Sequence, residues 1–374
     1  MVNGLQHEVS IWRRFIVPLL FVLGLFVVLF LRRPDNGTPV SDKVATQTEK
    51  KPPQMVLRGE TMGTTYNIKL VPKTAEQAQN WHTLQAQIDK RLEAINDLMS
   101  TYRPQSNISM LNKNETTEPI NLHKEFAQVV ETALAIGSAT EGAFDITLGP
   151  LIELWGFDKG KRRMTPPNEA EISARKEFTG LDKVSLKQDL FQKKDKRVQI
   201  NLSGIAKGYG VDVIGSILLK AGVQNFMVEI GGEILVQGNN SKGLPWRLGV
   251  NRPTPEAGRY EIIETVALSE GGMATSGSYR NFFNKEGQRY HHIINPKTGS
   301  PVTHRLVSVT VIAPTCMQAD ALATAAMVLG EEAFKEVLKE SYPNTSAFFV
   351  HQKGDSFDLS NTANFPKGSL RAAP

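Results

Sequence analysis

Residues 200–210 read INLSGIAKGYG, and this stretch joins a strand-like pattern to a helix-like one. Val198, Ile200 and Leu202 alternate with other residues, as in a half-buried strand. From Ser203 onward the chain forms a glycine-bearing turn, with a lysine, at the start of a predicted helix. Such a turn presents backbone N–H groups and the positive end of the helix dipole, which suit a phosphate group. The alternative interpretation is a tight strand-to-helix turn without a ligand.

Helical and strand-like patterns are interleaved on both sides of this stretch, without the regular spacing of a doubly wound parallel sheet. The predicted strands cover residues 64–70, 197–202, 225–230, 233–237, 246–250, 261–266 and 307–313. The predicted helices cover residues 75–99, 124–137, 205–220, 318–329 and 331–340, and a charged loop is predicted over 156–183. The sequence therefore predicts an α+β fold of mixed sheets and helices, in a single domain.

Composition excludes several classes of protein. The chain has 374 residues, of which 40% are hydrophobic and 22% charged, as is typical of a globular protein. The net charge is only +5, and no arginine-rich stripe interrupts the body of the chain, so nucleic-acid binding is not expected. Cys316 is the single cysteine, which excludes an intramolecular disulfide and a thiolate zinc cluster. A serine hydrolase is disfavoured because no Gly-x-Ser-x-Gly elbow occurs.

The N-terminal region predicts a membrane anchor. Residues 15–31 are uncharged and almost wholly apolar, and they are long enough to cross the hydrocarbon core of a bilayer. Arg32 and Arg33 follow directly, so no small residues mark a cleavage site, and an uncleaved anchor is favoured over a removed signal peptide. Arginine pairs flank the stretch on both sides, so the charges do not decide its orientation.

These patterns predict four segments. Residues 1–33 form an N-terminal transmembrane signal anchor, and residues 34–55, rich in Pro, Thr, Lys and Asp, form a flexible tether. Residues 56–350 form the folded domain, and residues 351–374 form a C-terminal tail.

Residues 318–329, QADALATAAMVL, predict a buried helix that carries a polar pair. Asp320 and Thr324 stand four residues apart and therefore lie on one face. A carboxylate in apolar surroundings needs a partner, and Mg²⁺ suits carboxylate, hydroxyl and backbone carbonyl oxygens better than Zn²⁺ does. The alternative is that Asp320 complements the positive start of the helix, after a Thr315-x-x-Gln318 capping box.

Three further segments contain candidate site residues. In RYHHIINPKTGSPV (289–302), one of two adjacent histidines, His291 or His292, could act as a base, although either could equally be structural. The segments RGETMGTTYNI (58–68) and EGAFDITLGPLIELWGF (141–157) carry aromatic and apolar residues that could wall an adenine or isoalloxazine ring. Taken singly, such segments are more often part of a core.

Taken in chain order, these segments resemble the motifs of the FAD:protein FMN transferase family, often called ApbE. The resemblance covers about residues 56–350 and rests on an ordered set of motifs. They are MGTTY (62–66), MSTYRPQSNISMLN (99–112), GAFDITLGPLIELWGF (142–157), INLSGIAKGYGVD (200–212), VEIGGEI (228–234), MATSGSYRNFF (273–283), HHIINPKTGSPV (291–302) and ADALATA (319–325).

The resemblance implies an enzyme that moves the FMN half of FAD, through a phosphoester bond, onto a threonine or serine hydroxyl of a partner flavoprotein. It implies that Mg²⁺ is held by Asp320, Thr324 and the carbonyl of Gly204, with His292 as the base. It also implies FAD contacts at Met62, Tyr102, Ala143, Phe144, Asp145, Asn201, Lys207 and Ile294. Several members of the family carry Asp where this chain has Asn201 and Glu where it has Lys207.

The family resemblance also implies partners and a location. The acceptors are expected to include subunits of membrane redox pumps, and the domain is expected to face the periplasm from the inner membrane. Two alternatives stay open. One is a Mg²⁺-dependent FAD pyrophosphatase that releases FMN and AMP, and the other is a non-catalytic flavin-binding module.

Overall fold

A computed structural model describes residues 54–74, 81–158, 163–255, 257–258 and 261–366. The predicted anchor and most of the predicted tether lie outside these residues, as do the first residues of the helix predicted over 75–99. None of the helices in the described ranges combines the length and the apolar character that a membrane crossing requires.

The strands of the described residues form one large antiparallel sheet and several small ones. In chain order they are β1 Met55–Thr61, β2 Thr64–Leu70, β3 Ile120–Asn121, β4 Val184–Lys187, β5 Leu190–Lys193, β6 Phe226–Ile230, β7 Glu233–Gln237, β8 Trp246–Asn251, β9 Ile262–Leu268, β10 Glu270–Gly277, β11 Phe282–Lys285, β12 Gln288–His291, β13 Ile294–Asn295, β14 Ser300–Pro301, β15 Leu306–Ala313, β16 Ser346–Lys353 and β17 Ser356–Asn361. The large sheet has the order β1-β2-β6-β7-β10-β15-β16-β17. Its neighbouring strands are antiparallel throughout.

Helices pack against one face of the large sheet, and the two-stranded sheet of β8 and β9 packs against the other. The helices are α1 Trp81–Met99, α2 Asn107–Lys113, α3 Lys124–Ala139, α4 Gly149–Leu154, α5 Glu169–Lys176, α6 Ala206–Lys220, α7 Cys316–Leu329 and α8 Glu331–Ser341. Side chains alternate across β6: Phe226 and Val228 pack among helix residues, whereas Met227 packs with β8 and β9 on the opposite face. The sheet is therefore buried on both sides at its centre.

The prediction of a mixed fold of helices and sheets is confirmed. The strand over residues 64–70 and the helices beginning near residues 124, 205, 318 and 331 lie within one or two residues of their predicted bounds. The charged loop predicted over 156–183 is wrong in part, because Glu169–Lys176 forms α5 behind an Asn168–Glu171 capping box. The main sheet also extends past residue 350, since β17 lies within the predicted tail.

The strand predicted over residues 197–202 is wrong, although its alternation has the expected meaning. Val198, Ile200 and Leu202 are buried, as a half-buried strand requires, but none of the strands in the described part of the chain pairs with them. The side chain of Asn112 replaces the neighbouring strand. Its Nδ2 donates to the Ile200 carbonyl and its Oδ1 accepts from the Ile200 N–H, both at 2.8 Å. The next N–H, that of Asn201, donates to the carbonyl of Ile146 at 2.7 Å.

We expect Asn112→Ala to lower the free energy of unfolding by about 1–3 kcal/mol, because both main-chain groups of Ile200 lose their partner. Urea denaturation followed by circular dichroism measures the change. Asn107→Ala, at an exposed position of the same helix α2, is the matched control and should change stability by less than about 0.5 kcal/mol. Equal stability of the two variants would show that the Asn112 amide does not hold this segment.

Candidate active site

The turn before α6 brings charged and polar groups from distant parts of the chain together. Asn201 shapes the turn, because its Oδ1 accepts the N–H of Ser203 at 2.8 Å. Helix α6 then starts at Ala206 without a side-chain cap. One of the N–H groups of its first turn, that of Gly208, donates instead to Oδ2 of Asp320 on α7, at 3.0 Å. The carboxylate of Asp320 therefore accepts a hydrogen bond at the N-terminus of α6.

Lys207 lies between two buried carboxylates. Its Nζ is 2.8 Å from Oε1 of Glu233 on β7 and 3.9 Å from Oδ1 of Asp320. The side chains of Glu233 and Asp320 are only 6% and 5% exposed, whereas that of Lys207 is 30% exposed. We call Lys207, Glu233 and Asp320 the charge triad.

Burial and mutual attraction act in opposite directions on the charge triad. Burial raises the pKa of Asp320 and of Glu233 above their ordinary values, and the ammonium of Lys207 counteracts part of that rise. Burial alone would lower the pKa of Lys207, but the two carboxylates outweigh it and raise that pKa. Lys207 is therefore a fixed positive charge at neutral pH.

The residues predicted to hold a metal lie beside the charge triad. A Cβ on Gly204 would stand 3.0 Å from Oγ1 of Thr324, so the Gly204 backbone adjoins that hydroxyl. Thr324 Oγ1 also lies 3.3 Å from Oγ of Ser276 and 3.3 Å from the Asp320 carbonyl oxygen. Oε2 of Glu233 is buried without a hydrogen-bond partner.

This donor set fits Mg²⁺, because it consists of carboxylate, hydroxyl and carbonyl oxygens. In the described ranges, no group of three or more His, Cys, Asp and Glu side chains is arranged to hold a metal ion. A transition-metal site built from such side chains is thus not found there.

His292 follows β12 and is held by one backbone carbonyl. Its Nδ1 lies 3.2 Å from the Asn281 oxygen, which also accepts the His292 backbone N–H at 3.1 Å. Burial lowers the pKa of His292, and the positive charge of Lys207 lowers it further, so the imidazole is neutral at pH 7. A neutral ring that donates through Nδ1 leaves Nε2 as the acceptor. The geometry therefore suits His292 to act as a base.

Two adjoining cavities contain the predicted site residues. The smaller has a volume of about 410 Å³ and the larger about 1070 Å³, and both are lined by Ser203 and Lys207. Of the predicted residues, the smaller cavity is lined by Ala143, Phe144, Asp145, Asn201, Gly204, Lys207, His292, Ile294, Asp320 and Thr324. The larger is lined by Met62, Tyr102 and Lys207. The structure thus brings together residues that are up to 262 positions apart, from Met62 to Thr324.

Their surroundings differ from one residue to the next. Tyr102 is 65% exposed and so offers an accessible ring, whereas Ile294 and Phe144 are buried and offer only part of their surface. Met62 has a φ of 50° in the β1–β2 turn, and its side chain packs near Gly210 of α6. Asp145 accepts the N–H and the hydroxyl of Thr147 through one oxygen, and burial raises its pKa.

Sequence reasoning did not single out three residues that line the smaller cavity: Glu233, Ser276 and Arg280. In the sequence, Glu233 could have been recognised as a charged residue that begins the mainly apolar strand EILVQ, directly after two glycines. Ser276 and Arg280 lie in the motif MATSGSYRNFF. Ser276 is within β10 and Arg280 follows it, and the glycines of β10 weaken the strand pattern in the sequence.

Asp212 locks α6 to α7. Its two carboxylate oxygens accept the N–H groups of Cys316 and Met317, each at 2.8 Å, at the start of α7. Burial raises the pKa of Asp212 to about 6. Gly208 allows the close approach, since a Cβ there would stand 2.4 Å from the Cys316 carbonyl oxygen. These contacts hold α6, which carries Lys207, against α7, which carries Asp320.

Comparison with known proteins gives the family. The profile of the ApbE family matches residues 62–349. The chain belongs to the ApbE family. A FAD:protein FMN transferase from Vibrio cholerae serotype O1 is 43% identical over 286 residues, which are 76% of this chain and 84% of that relative. A second FAD:protein FMN transferase, from Haemophilus influenzae, is 37% identical over 85% of this chain and 92% of its own.

Solved ApbE structures share the fold. The flavin transferase ApbE from Vibrio cholerae superimposes with a TM-score of 0.75 at 38% identity, over 84% of this chain and 98% of its own. The apo form of the flavinyl transferase ApbE from Pseudomonas stutzeri gives a TM-score of 0.74 at 32% identity, over 84% and 96%. The resemblance seen in the sequence is confirmed, as is the prediction that the chain is an enzyme of the transferase class.

The contact between α6 and α7 of this ApbE protein makes a testable prediction. Gly208→Ala should lower the free energy of unfolding by about 1–3 kcal/mol, because the added methyl group meets the backbone of Cys316 and Met317. Ser216→Ala, at an exposed position of α6, is the control and should change it by no more than about 0.5 kcal/mol. Thermal and urea denaturation measure both. A Gly208→Ala protein as stable as the control would contradict the close packing of the two helices.

Proposed function

We propose that this protein is a Mg²⁺-dependent FAD:protein FMN transferase, which attaches the FMN part of FAD to a threonine or serine hydroxyl of a target flavoprotein through a phosphoester bond. The names of its relatives support flavin transfer. The observation that carries the proposal is the convergence of a neutral imidazole, an oxygen donor set and a lysine on one cavity. That combination suits transfer at phosphorus, which needs positioning and charge neutralisation.

FAD is the substrate in this proposal. Its two ring systems need apolar or aromatic walls, and its pyrophosphate needs positive charge. The proposed contacts are Met62 and Tyr102 in the larger cavity, and Ala143, Phe144, Asp145, Asn201 and Ile294 in the smaller one. Ser203 and Lys207 line both cavities, so FAD would extend across their junction.

The proposed reaction breaks the phosphoanhydride bond of FAD and forms a phosphoester bond. The acceptor hydroxyl oxygen bonds to the phosphorus of the FMN part, the P–O–P bridge of FAD breaks, and AMP leaves with the bridging oxygen. His292 Nε2 takes the hydroxyl proton, while the Asn281 carbonyl keeps Nδ1 protonated and the ring in place. Phe157, whose ring lies edge-on 6.4 Å from that of His292, limits access of water to the imidazole from that side.

Asp320, Thr324 and the carbonyl of Gly204 are the residues that would hold Mg²⁺. When bound, Mg²⁺ supplies neutralisation of the charge on the phosphate oxygens. Lys207 and the Gly208 N–H orient the Asp320 carboxylate in the absence of the ion, since each contacts a different oxygen. The side chain is therefore held in place before a ligand arrives.

We also propose where the enzyme acts. The apolar stretch 15–31, between arginine pairs, supports an uncleaved anchor in the inner membrane, and residues 34–55 would tether the domain to it. The family resemblance supports a domain that faces the periplasm. Its acceptors would then be flavoproteins of that compartment, such as subunits of membrane redox pumps.

An in-gel flavin assay tests the proposed function. Full-length protein in detergent, mixed with FAD, Mg²⁺ and a redox-pump subunit as acceptor, should make the acceptor fluorescent after denaturing electrophoresis. EDTA should abolish the signal and Mg²⁺ should restore it. Asp320→Ala should reduce labelling at least about 100-fold, because the main carboxylate ligand is lost. Persistent labelling in EDTA would remove the metal assignment.

The same assay separates the competing functions. Release of FMN and AMP without acceptor labelling would show a pyrophosphatase. FAD that stays intact with Mg²⁺ and acceptor present would show a non-catalytic flavin-binding module.

The pH dependence of the rate tests His292 as the base. Its unprotonated form is needed, so activity should fall as the pH drops through the pKa of His292, which burial places below 6.5. We expect the wild-type kcat to be flat from pH 7 to 8 and to decline only on the acid side. His292→Ala should lower kcat by about 10²–10⁴-fold and lose that acid limb. If His292→Ala still loses activity at acid pH as the wild type does, a group other than His292 causes that loss.

A further inference from the structure

The smaller cavity contains two permanent cations, and their surroundings are different. Among the described residues, the basic side chains that line it are Lys207 and Arg280. The acidic side chains that line it are Asp145, Glu233 and Asp320. Lys207 is shared between two of those carboxylates. Its charge is thus already paired within the protein, with two acidic groups for one ammonium.

Arg280 is the cation that the protein does not neutralise. It is exposed, and within the described ranges the ion pairs do not include it. Its guanidinium lies 5.4 Å from the ring centroid of Tyr279, a contact that orients it without removing its charge. An arginine without a carboxylate at the wall of a cavity is available to an anion from outside.

The backbone around Arg280 is fixed close to the base. Tyr279 is 6% exposed and Ser278 5% exposed, and the Ser278 N–H donates to the Val307 carbonyl at 3.0 Å. On the other side, the Asn281 carbonyl holds His292. Arg280 is therefore one residue away from the group that positions His292, in a segment anchored at both ends.

We propose that Arg280 binds the pyrophosphate of FAD and that it makes the site select dinucleotides over riboflavin. The inference rests on the proposed function for the identity of the substrate. Pyrophosphate brings two negative charges into a cavity whose lysine is already paired with two carboxylates. The planar guanidinium can bind two phosphate oxygens at once, which a lysine ammonium does not do.

Ligand binding, measured separately from transfer, tests this inference. Full-length protein in detergent and EDTA is titrated with FAD, ADP and riboflavin by calorimetry. Arg280→Gln should weaken FAD and ADP by about 10- to 100-fold, the usual effect of losing a charge-assisted hydrogen-bonded pair. Riboflavin affinity should stay within about twofold. Arg280→Lys should recover part of the loss, because it keeps the charge but not the fork.

Arg289→Gln is the matched control. Arg289 is also exposed and also stacks on an aromatic ring, that of Phe282 at 4.3 Å, but it does not line either of the two cavities. This variant should bind all three ligands as the wild type does. Thermal denaturation of each variant should match the wild type, since both arginines are exposed.

Two results would overturn the inference. One is unchanged affinity of Arg280→Gln for FAD and ADP, and the other is an equal loss for FAD and riboflavin. Failure of the proposed function has a separate sign. The wild type would then bind FAD but label no acceptor, whatever the effect of the Arg280 substitution.

Discussion

The whole site depends on one electrostatic arrangement, the ammonium of Lys207 between the carboxylates of Glu233 and Asp320. The three residues come from α6, β7 and α7, so their attraction ties two helices to the central sheet. Removing Lys207 would leave two buried carboxylates without their cation, which costs several kcal/mol. The positions of the three elements are therefore not independent. The backbone of Gly204, just before α6, and the hydroxyl of Thr324 on α7 lie close together where these two helices meet.

This arrangement also has a surplus of acidic groups over basic ones. One ammonium faces two carboxylates, and one oxygen of Glu233 is buried without a partner. A protein whose only task here was stability would gain from apolar residues at these positions. Such a surplus suits a divalent cation, which would neutralise it. In the proposed reaction the acidic groups would thus hold Mg²⁺ beside a negatively charged substrate.

The sequence predicts this site better than it predicts the fold around it. The helix pitch places Asp320 and Thr324 on one face, and this holds irrespective of what surrounds the helix. The central strand β10 is not predicted because three of the eight residues of Glu270–Gly277 are glycine, and its pairing with β7 and β15 decides its conformation. The false strand at Ile200 is the reverse case. There the local pattern is strand-like, but the partner is an amide side chain 88 residues away, which no local pattern reveals.

Glu233 shows the limit of local reasoning within the site. A glutamate in a strand is ordinarily placed on the solvent side, and nothing near it in the chain marks it as the partner of Lys207, 26 residues earlier. Only the antiparallel pairing of β6 with β7 turns it toward the start of α6.

In the proposed mechanism, the choice between transfer and hydrolysis does not lie in these charged groups, because both reactions would break the same P–O–P bond and use the same proposed base, His292. It lies in what reaches Nε2 of His292. On one side of that histidine the wall is apolar: Ile293 and Ile294 are buried, and Phe157, Phe283 and Tyr290 stack in series, with the Phe157 ring against His292. Such a wall leaves water few hydrogen-bonding partners beside the base. A hydroxyl delivered on a polypeptide brings its own binding surface and displaces water as it docks. The same apolar residues that lower the pKa of His292 therefore favour a protein acceptor over water.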